Sequence, residues 1–320
     1  MPRMSSPSFF PSLLHSGPIT IGPYSSTSLL PHYDATRYIV PLREGGSLPA
    51  VAATTGGDVV VKFRGAGQGA KALVAELVVG ELARRAALPM PEVSLVTLPA
   101  SFGRTERDPE IQDLLKASVG LNVGLSFVPA ALPFDPASLG GFAPPDLAAE
   151  IVWLDAFGFN LDRTVRNPNL LVAPRDGVSG TPGAHGDGGP QLWLIDHGAA
   201  LFFHHNWAGV DDERARHPFP LVKDHVLLPL AGDLRAASER MRGRITADVL
   251  DAVLADVPDE LLLHTPPTQT PAFATADAYR DAYRRVLAPR LADPSPFVDA
   301  AVAAQEALRA DPAARLAYRR

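Results

Sequence analysis

Residues 58 to 88 impose the tightest constraint in the chain. Lys62 stands inside the β-forming run DVVVKF (58–63), where an unpaired ammonium costs several kcal/mol if it is buried. The segment that follows, KALVAELVVGELARRAAL (71–88), has the apolar spacing of a helix. Turning it by about 100° per residue gathers Lys71, Glu81, Arg84 and Arg85 on one arc. Glu76 falls nearly opposite, among Ala72, Leu73, Val79, Gly80 and Ala83. A carboxylate in such company wants a cation, and the preceding strand supplies one. Taken singly, Lys62 suits the wet face of a half-exposed strand and Glu76 an exposed helix position. Taken together they read as a pair across a strand–helix unit.

Other strands surround this unit. RYIVPL (37–42), PEVSLVTL (91–98) and LNVGLSFVP (121–129) have β character, and DPEIQDLLKASV (108–119) is helical. Residues 1–35 are rich in Ser and Pro and are expected to form a flexible tail. From about 130 the character changes. DLAAEIVWLDAFGF (146–159) is helical, and NLLVA and QLWLIDHGAALFF are strands flanking a Gly/Pro-rich insertion at 174–190. LVKDHVLLPLAG (221–232) and every later apolar segment read as helices. The expectation is an α+β chain with a strand-rich region at 36–125 and a mostly helical one at 126–320.

Composition narrows the function. A formal charge of −6 over 320 residues leaves no broad basic field for nucleic acid. No apolar run approaches the roughly 20 residues of a membrane span. With no cysteine, thiolate catalysis and disulfides are excluded, and a cytoplasmic location is expected.

Two further charged stretches carry chemistry. In LWLIDHG an apolar strand ends on Asp196, with Gly198 close behind. Such a carboxylate suits a magnesium ion, which takes one or two carboxylates together with phosphate oxygens, although it could equally cap a turn. FNLDRTVRNPNLL (159–171) places Asp162, Arg163, Arg166, Asn167 and Asn169 between two apolar segments. The order is lysine, glutamate, Asp162, Asn167, Asp196. This is the order of a phosphoryl-transfer site, in which a carboxylate orients the attacking hydroxyl and hard oxygen ligands hold the metal. No single element is specific, but the set in this order is.

These segments, with LREGGSLPA, LPMPE and the run from Lys62 to Arg85, resemble the HipA-like kinases, in particular small standalone members from bacteria. The resemblance runs from about Thr36 to Trp207 and more weakly beyond. It implies a two-lobed protein-kinase-like fold, ATP with Mg²⁺, and transfer of phosphate to a hydroxyl, often a protein serine or threonine. Carried onto this chain, Lys62 binds phosphate, Glu76 is its partner and Asp162 is the catalytic aspartate. Asn167 and Asp196 are the metal ligands, with Asn169 as the alternative to Asn167. Gly45, Gly46 and Ser47 correspond to the glycine-rich loop over the phosphates, and Phe127 and Val128 to the hinge beside adenine. Thr164 stands where the family commonly has histidine. No counterpart of the extra N-terminal module of toxin-type HipA proteins is found, which puts a toxin role and an antitoxin partner in doubt.

Three other readings compete. A nucleotide-binding module without catalysis would need the same residues. Glycines 65, 67 and 69 imitate a dinucleotide fingerprint, but with G-x-G-x-G spacing and a lysine within the strand. His185, His197, His204 and His205 suggest a metal hydrolase, yet they lack a recognised ligand spacing. The chain is therefore read as a kinase acting on a protein hydroxyl, with the inactive module as its main rival.

Overall fold

The computed structural model describes residues 30–42, 48–104, 106–175, 189–266 and 269–311. The expected loop Gly45–Ser47, residues 1–29 of the expected tail and 176–188 of the insertion lie outside the described residues.

The first half is strand-rich. β1 (His32–Pro41), β2 (Ala50–Thr54) and β3 (Gly57–Lys62) lead into α1 (Gly69–Arg85). β4 (Val93–Leu98), α2 (Pro109–Ala117) and β5 (Gly120–Ser126) follow. The five strands close a barrel in the order β1-β2-β3-β5-β4, with β1 and β4 parallel and the other neighbours antiparallel. Inside lie Ala35, Ala50, Ala52, Val59, Val61, Phe63, Val96 and Leu98, joined by Ile111 and Leu115 of α2.

This barrel decides where Lys62 points. Side chains alternate along a strand, so Val59 and Val61 facing inward send Val60 and Lys62 to the other face. Lys62 pairs in register with Val123, and Val60 with Leu125. Val123 and Leu125 belong to the core that also holds Leu73, Leu77 and Val78 of α1. Lys62 is thereby aimed at α1. That helix is buried on nearly every side; of the charged arc, Lys71, Arg84 and Arg85 are partly exposed and Glu81 is buried. Glu81 is buried beside Arg84 and Arg85, and Arg85 reaches Asp256 at 2.7 Å. Gly80 lets Met90 and Val93 pack close to the helix: a Cβ would stand 2.8 Å from Met90 Cε and 3.2 Å from Val93 Cγ2, and the Met90 side chain would have to shift.

The remainder is mostly helical. β6 (Leu132–Pro133), β7 (Leu170–Pro174) and β8 (Pro190–Leu194) form a small antiparallel sheet in the order β6-β7-β8. α3 (Pro136–Leu139) and α4 (Pro145–Phe157) precede β7. After β8 come α5 (Asp212–Ala215), α6 (Leu234–Arg244), α7 (Ala247–Asp256), α8 (Asp259–Leu262), α9 (Ala276–Ala292) and α10 (Ser295–Ala310). α4 is the central helix. Its Trp153 stacks on Phe157 at 5.2 Å and meets Phe297 of α10 edge-on, while the indole N–H donates to Ser238 Oγ of α6.

Four elements differ from expectation, the first being the strand read through QLWLIDHGAALFF, which ends at Leu194 and gives way to turns, with a 3₁₀ turn at Phe202–His205. β1 starts at His32 rather than Arg37, and β2 lies in what reads as a connection. β2 is AVAAT, and its alanines have weak β propensity but fit the crowded barrel interior. Residues 221–232 are not a helix. They form two 3₁₀ turns, Pro220–Asp224 and Leu228–Leu230, around an extended His225. Pro229 denies the helix a backbone donor, and His225 is drawn inward to a buried carboxylate of α4.

The end of α4 is held by Arg290 of α9. Its guanidinium is buried and donates to the carbonyls of Ala156, Phe157, Ala215 and His217, while its face lies 3.8 Å from the Phe159 ring centroid. The α4 carbonyls are among those that no helix can satisfy internally. Burial pulls the guanidinium pKa down to about 9. Replacing Arg290 by Leu orphans these carbonyls, each costing about 1–3 kcal/mol. The expected loss is about 3 kcal/mol or more, read as a lower urea midpoint with an unchanged slope.

Candidate active site

The site starts from the pair that the sequence sets up. Lys62 Nζ donates to Glu76 Oε2 at 2.8 Å and also to Asp196 Oδ1. Glu76 is fully buried and Lys62 nearly so, whereas the Asp196 side chain is 37% exposed. The amine thus joins a dry carboxylate to a wet one. Burial by itself would lower the Lys62 pKa, but the charges of Glu76 and Asp196 outweigh it and hold the amine above its usual value. Burial would likewise raise Glu76, yet Lys62 and His197 bring it down to about 2.

Asp196 follows β8 directly, and its backbone is left-handed, with φ +57°. Asn169, just ahead of β7, has φ +50°. A non-glycine residue in this region costs of order 1–3 kcal/mol. Both strained residues flank the paired strands, where Leu170 is opposite Leu194 and Ile195 N–H donates to the Asn169 carbonyl at 3.1 Å. The ladder therefore fixes Asn169 and Asp196 side by side.

Asp162 lies in the loop that leaves α4. Asn160 holds that loop twice, since its Oδ1 accepts from Asp162 N–H at 3.1 Å and its Nδ2 donates to Asp155 Oδ1 at 2.8 Å. The Asp162 carboxylate accepts from Asn167 Nδ2 at 2.6 Å and Asn169 Nδ2 at 3.3 Å. Burial raises its pKa, the Asn169 hydrogen bond opposes this, and the Asp196 charge adds to the rise. The two carboxylates are thus near enough to feel each other. Lys62, Glu76, Asp162, Asn167, Asn169 and Asp196 are all brought into this neighbourhood.

Behind them runs a buried polar chain. Asp155 on α4 accepts from Arg163 Nε at 2.5 Å and from His225 Nε2 at 2.9 Å. Leu227 N–H donates to His225 Nδ1, so the His225 proton sits on Nε2. Arg163 also donates to the carbonyls of Asn169 and Ile195, the two residues beside the strained turn. Its Nη2 lies 3.1 Å from His197 Nε2. A guanidinium has no acceptor, so His197 carries its proton on Nδ1, which faces Glu76 Oε1 at 3.7 Å. The His197 backbone N–H donates to Glu76 Oε2 at 2.8 Å. Asp155, Arg163, His197, Glu76 and Lys62 form one line from α4 to the barrel. Burial would raise the Asp155 pKa, but Arg163 and His225 hold it well below the carboxylate range.

Asp155, Asn160, Arg163 and His225 carry structure that the sequence reading passed over, and His197, weighed there as a metal-hydrolase histidine, joins them. The signal for Asp155 was present: a carboxylate inside IVWLDAFGF, as isolated as Glu76. Phe127 and Val128 sit differently from each other. Val128 packs with Ala173 and Trp193 in a small buried cluster, while Phe127 is 39% exposed.

The donor set fits a magnesium ion. Each asparagine spends its Nδ2 on Asp162 and leaves its amide oxygen as an acceptor, and Asp196 keeps a solvent-facing carboxylate. These are hard oxygen ligands. Among the described residues no three His, Asp or Glu side chains gather into a metal cage.

A strand lysine tied to a helix glutamate and facing two loop carboxylates defines, on this fold, a protein of the kinase class. The chain belongs to the HipA-like kinase family, which matches residues 43–290. No curated protein matches it in sequence. In structure it is similar to the Helicobacter pylori proinflammatory kinase CtkA, at 12% identity and a TM-score of 0.50, covering 87% of this chain and 99% of that one. Among the described residues no helix is long and apolar enough to cross a membrane.

The Glu76 shift has a pH signature. Its folded pKa of about 2 lies below the ordinary 4.5, so its stabilisation is present above pH 4.5 and fades as pH falls toward 2. Glu76→Gln is expected to melt below the wild type at pH 7, with the gap closing as pH drops below 4.5. Melting curves across this range check it.

Proposed function

We propose that the chain is an ATP- and Mg²⁺-dependent kinase that transfers the γ-phosphoryl group to a hydroxyl, that of a protein serine or threonine. The reading rests on one observation above all: Lys62 joins Glu76 and Asp196 in a single site whose other carboxylate, Asp162, senses Asp196. On this reading the fold has two lobes, at 36–125 and 126–320, with ATP between them and Phe127 and Val128 beside the adenine. Gly45, Gly46 and Ser47 would cover the phosphates.

Glu76 holds Lys62 so that its amine meets the nucleotide phosphates as a fixed cation. Asp196 gives up its hold on Lys62 as the phosphates arrive, because it is the exposed partner of the pair. Asp162 accepts a hydrogen bond from the acceptor hydroxyl and orients its oxygen toward the γ-phosphorus. The new O–P bond forms as the bond to the β,γ-bridging oxygen breaks, ADP leaves, and the hydroxyl proton passes to Asp162. A raised pKa suits Asp162 to receive it. Asp196 and the amide oxygen of Asn167, with Asn169 as the alternative, would hold the magnesium ion. Bound there, the ion neutralises charge on the phosphates.

Purified protein with ATP and Mg²⁺ is expected to label itself or a lysate protein from γ-labelled ATP. Asp162→Asn should lower transfer by about 10²–10⁴-fold while keeping the melting temperature and the ATP-induced rise in it. Transfer persisting in that variant removes Asp162 from its role. An ATP-induced shift in the wild type without any transfer leaves a nucleotide-binding module. A phosphoproteome of cells expressing wild type against Asp162→Asn names the acceptor.

A further inference from the structure

A cleft of about 680 Å³ opens at the N-terminal end of α1, the helix that carries Glu76. The turn Gly65–Gly69 and the first residues of α1 form one wall, and residues from α8 to α9 the other. Its size is that of a ligand pocket. Arg64, Lys71, His205 and His264 line it, and no aspartate or glutamate does among the described residues. This is unusual on a chain of net charge −6.

The cleft gathers Arg64, Lys71, two histidines and the first N–H groups of α1, and its remaining polar lining, with Thr265, Gln269 and Thr270, is uncharged. Lys71 has no carboxylate partner among the described residues, and no acidic residue or capping side chain occupies the first turn of α1. Ala70 and Lys71, at the second and third helical positions, have no intrahelical acceptor for their backbone N–H groups. The Trp207 indole also lines the cleft, with its Nε1 buried and so not presented to a ligand there. Glu260, next to the cleft, is taken by Arg64 at 2.6 Å. Burial and the charge of Lys71 both lower His205, so its imidazole stays neutral beside Lys71 and adds a hydrogen-bonding group rather than a second cation.

We propose that this cleft binds an anionic side chain, phosphoryl or carboxylate, presented by a peptide segment of a protein partner. One cluster of donors suits one anionic group, whereas a nucleic-acid backbone needs a stripe of cations, and the chain has a net negative charge. The flanking walls of Trp207 and Tyr279 leave room for the peptide beside the charged group. The cleft and the proposed active site share α1: Ala70, Lys71 and Val74 line the cleft, while Ala72 packs within 3.5–3.7 Å of where a Cβ on Gly198 would stand, two residues after Asp196. The inference does not depend on catalysis.

The test uses the full chain and three peptides of one sequence with phosphoserine, glutamate or serine at the centre. Emission of Trp207 and calorimetry read the binding, Trp153 and Trp193 being buried in the core. The phosphoserine or the glutamate peptide is expected to bind and the serine peptide not, and whichever of the first two binds tighter identifies the anion. Lys71→Glu should weaken this binding by about tenfold or more, while the melting temperature and its rise with ATP stay unchanged. Binding that survives Lys71→Glu, equal binding of the serine peptide, or no binding of any peptide overturns the proposal. So does a single-stranded oligonucleotide that outcompetes the peptides. Failure of ATP to shift the wild type counts against the kinase reading alone.

Discussion

Two carboxylates with no access to water, Glu76 and Asp155, govern how this molecule is assembled. Even after relaxation, taking such a charge out of water costs several kcal/mol per ion, and only well-placed cations and donors offset it. The chain provides these from distant positions: Lys62 from the barrel, Arg163 from the loop after α4, His225 from the turns before α6, and His197 from the turn after β8. Each partner is useful only if its own segment is in place. Removing one leaves an uncompensated buried charge, so the network makes the arrangement of barrel, α1, α4 and both reactive loops cooperative.

The Lys62–Glu76 pair was readable because two charges stood in apolar runs close together in sequence. The same logic applied to Asp155, but its partners are Arg163 eight residues on and His225 seventy residues on. Nothing local says that Arg163 turns inward while Arg166 stays exposed. What separates them is the backbone of the loop, left-handed at Phe159 and held by Asn160, and this is a tertiary result. His225 was hidden for a second reason. Its segment has the apolar spacing of a helix, and that local pattern loses to the pull of a buried carboxylate and to Pro229. β2 was missed by propensity: alanine is a poor strand former in general, yet inside a narrow closed barrel its small size is what the neighbours require.

The fold is otherwise well matched to its pattern. Alternation in DVVVKF predicts two faces for β3, and the barrel supplies an interior for one and α1 for the other. The uneven solvent exposure along the site follows from the same alternation. Glu76 and His197 lie on the sealed side, Lys62 spans the boundary, and Asp196 and Asp162 face outward.

On the proposed function, in which Lys62 binds phosphate, that gradient separates two demands that such a lysine must meet together. The amine has to be rigid, and it has to be free to take a new partner. A lysine pinned by two buried carboxylates would be rigid but unavailable, since exchanging either would strand a charge in the interior. A lysine paired only with exposed groups would be available but poorly placed. Here the dry contact to Glu76 fixes the position, and in the proposed mechanism the wet contact to Asp196 would be the one to exchange, because water can solvate a released carboxylate. The strain at Asp196 and Asn169 fits this division. Both residues are held left-handed by the β7–β8 ladder and by Arg163, whose own charge is secured at Asp155. The mobile partner is thus presented by a rigid turn, and the rigidity comes from the sealed side of the same network.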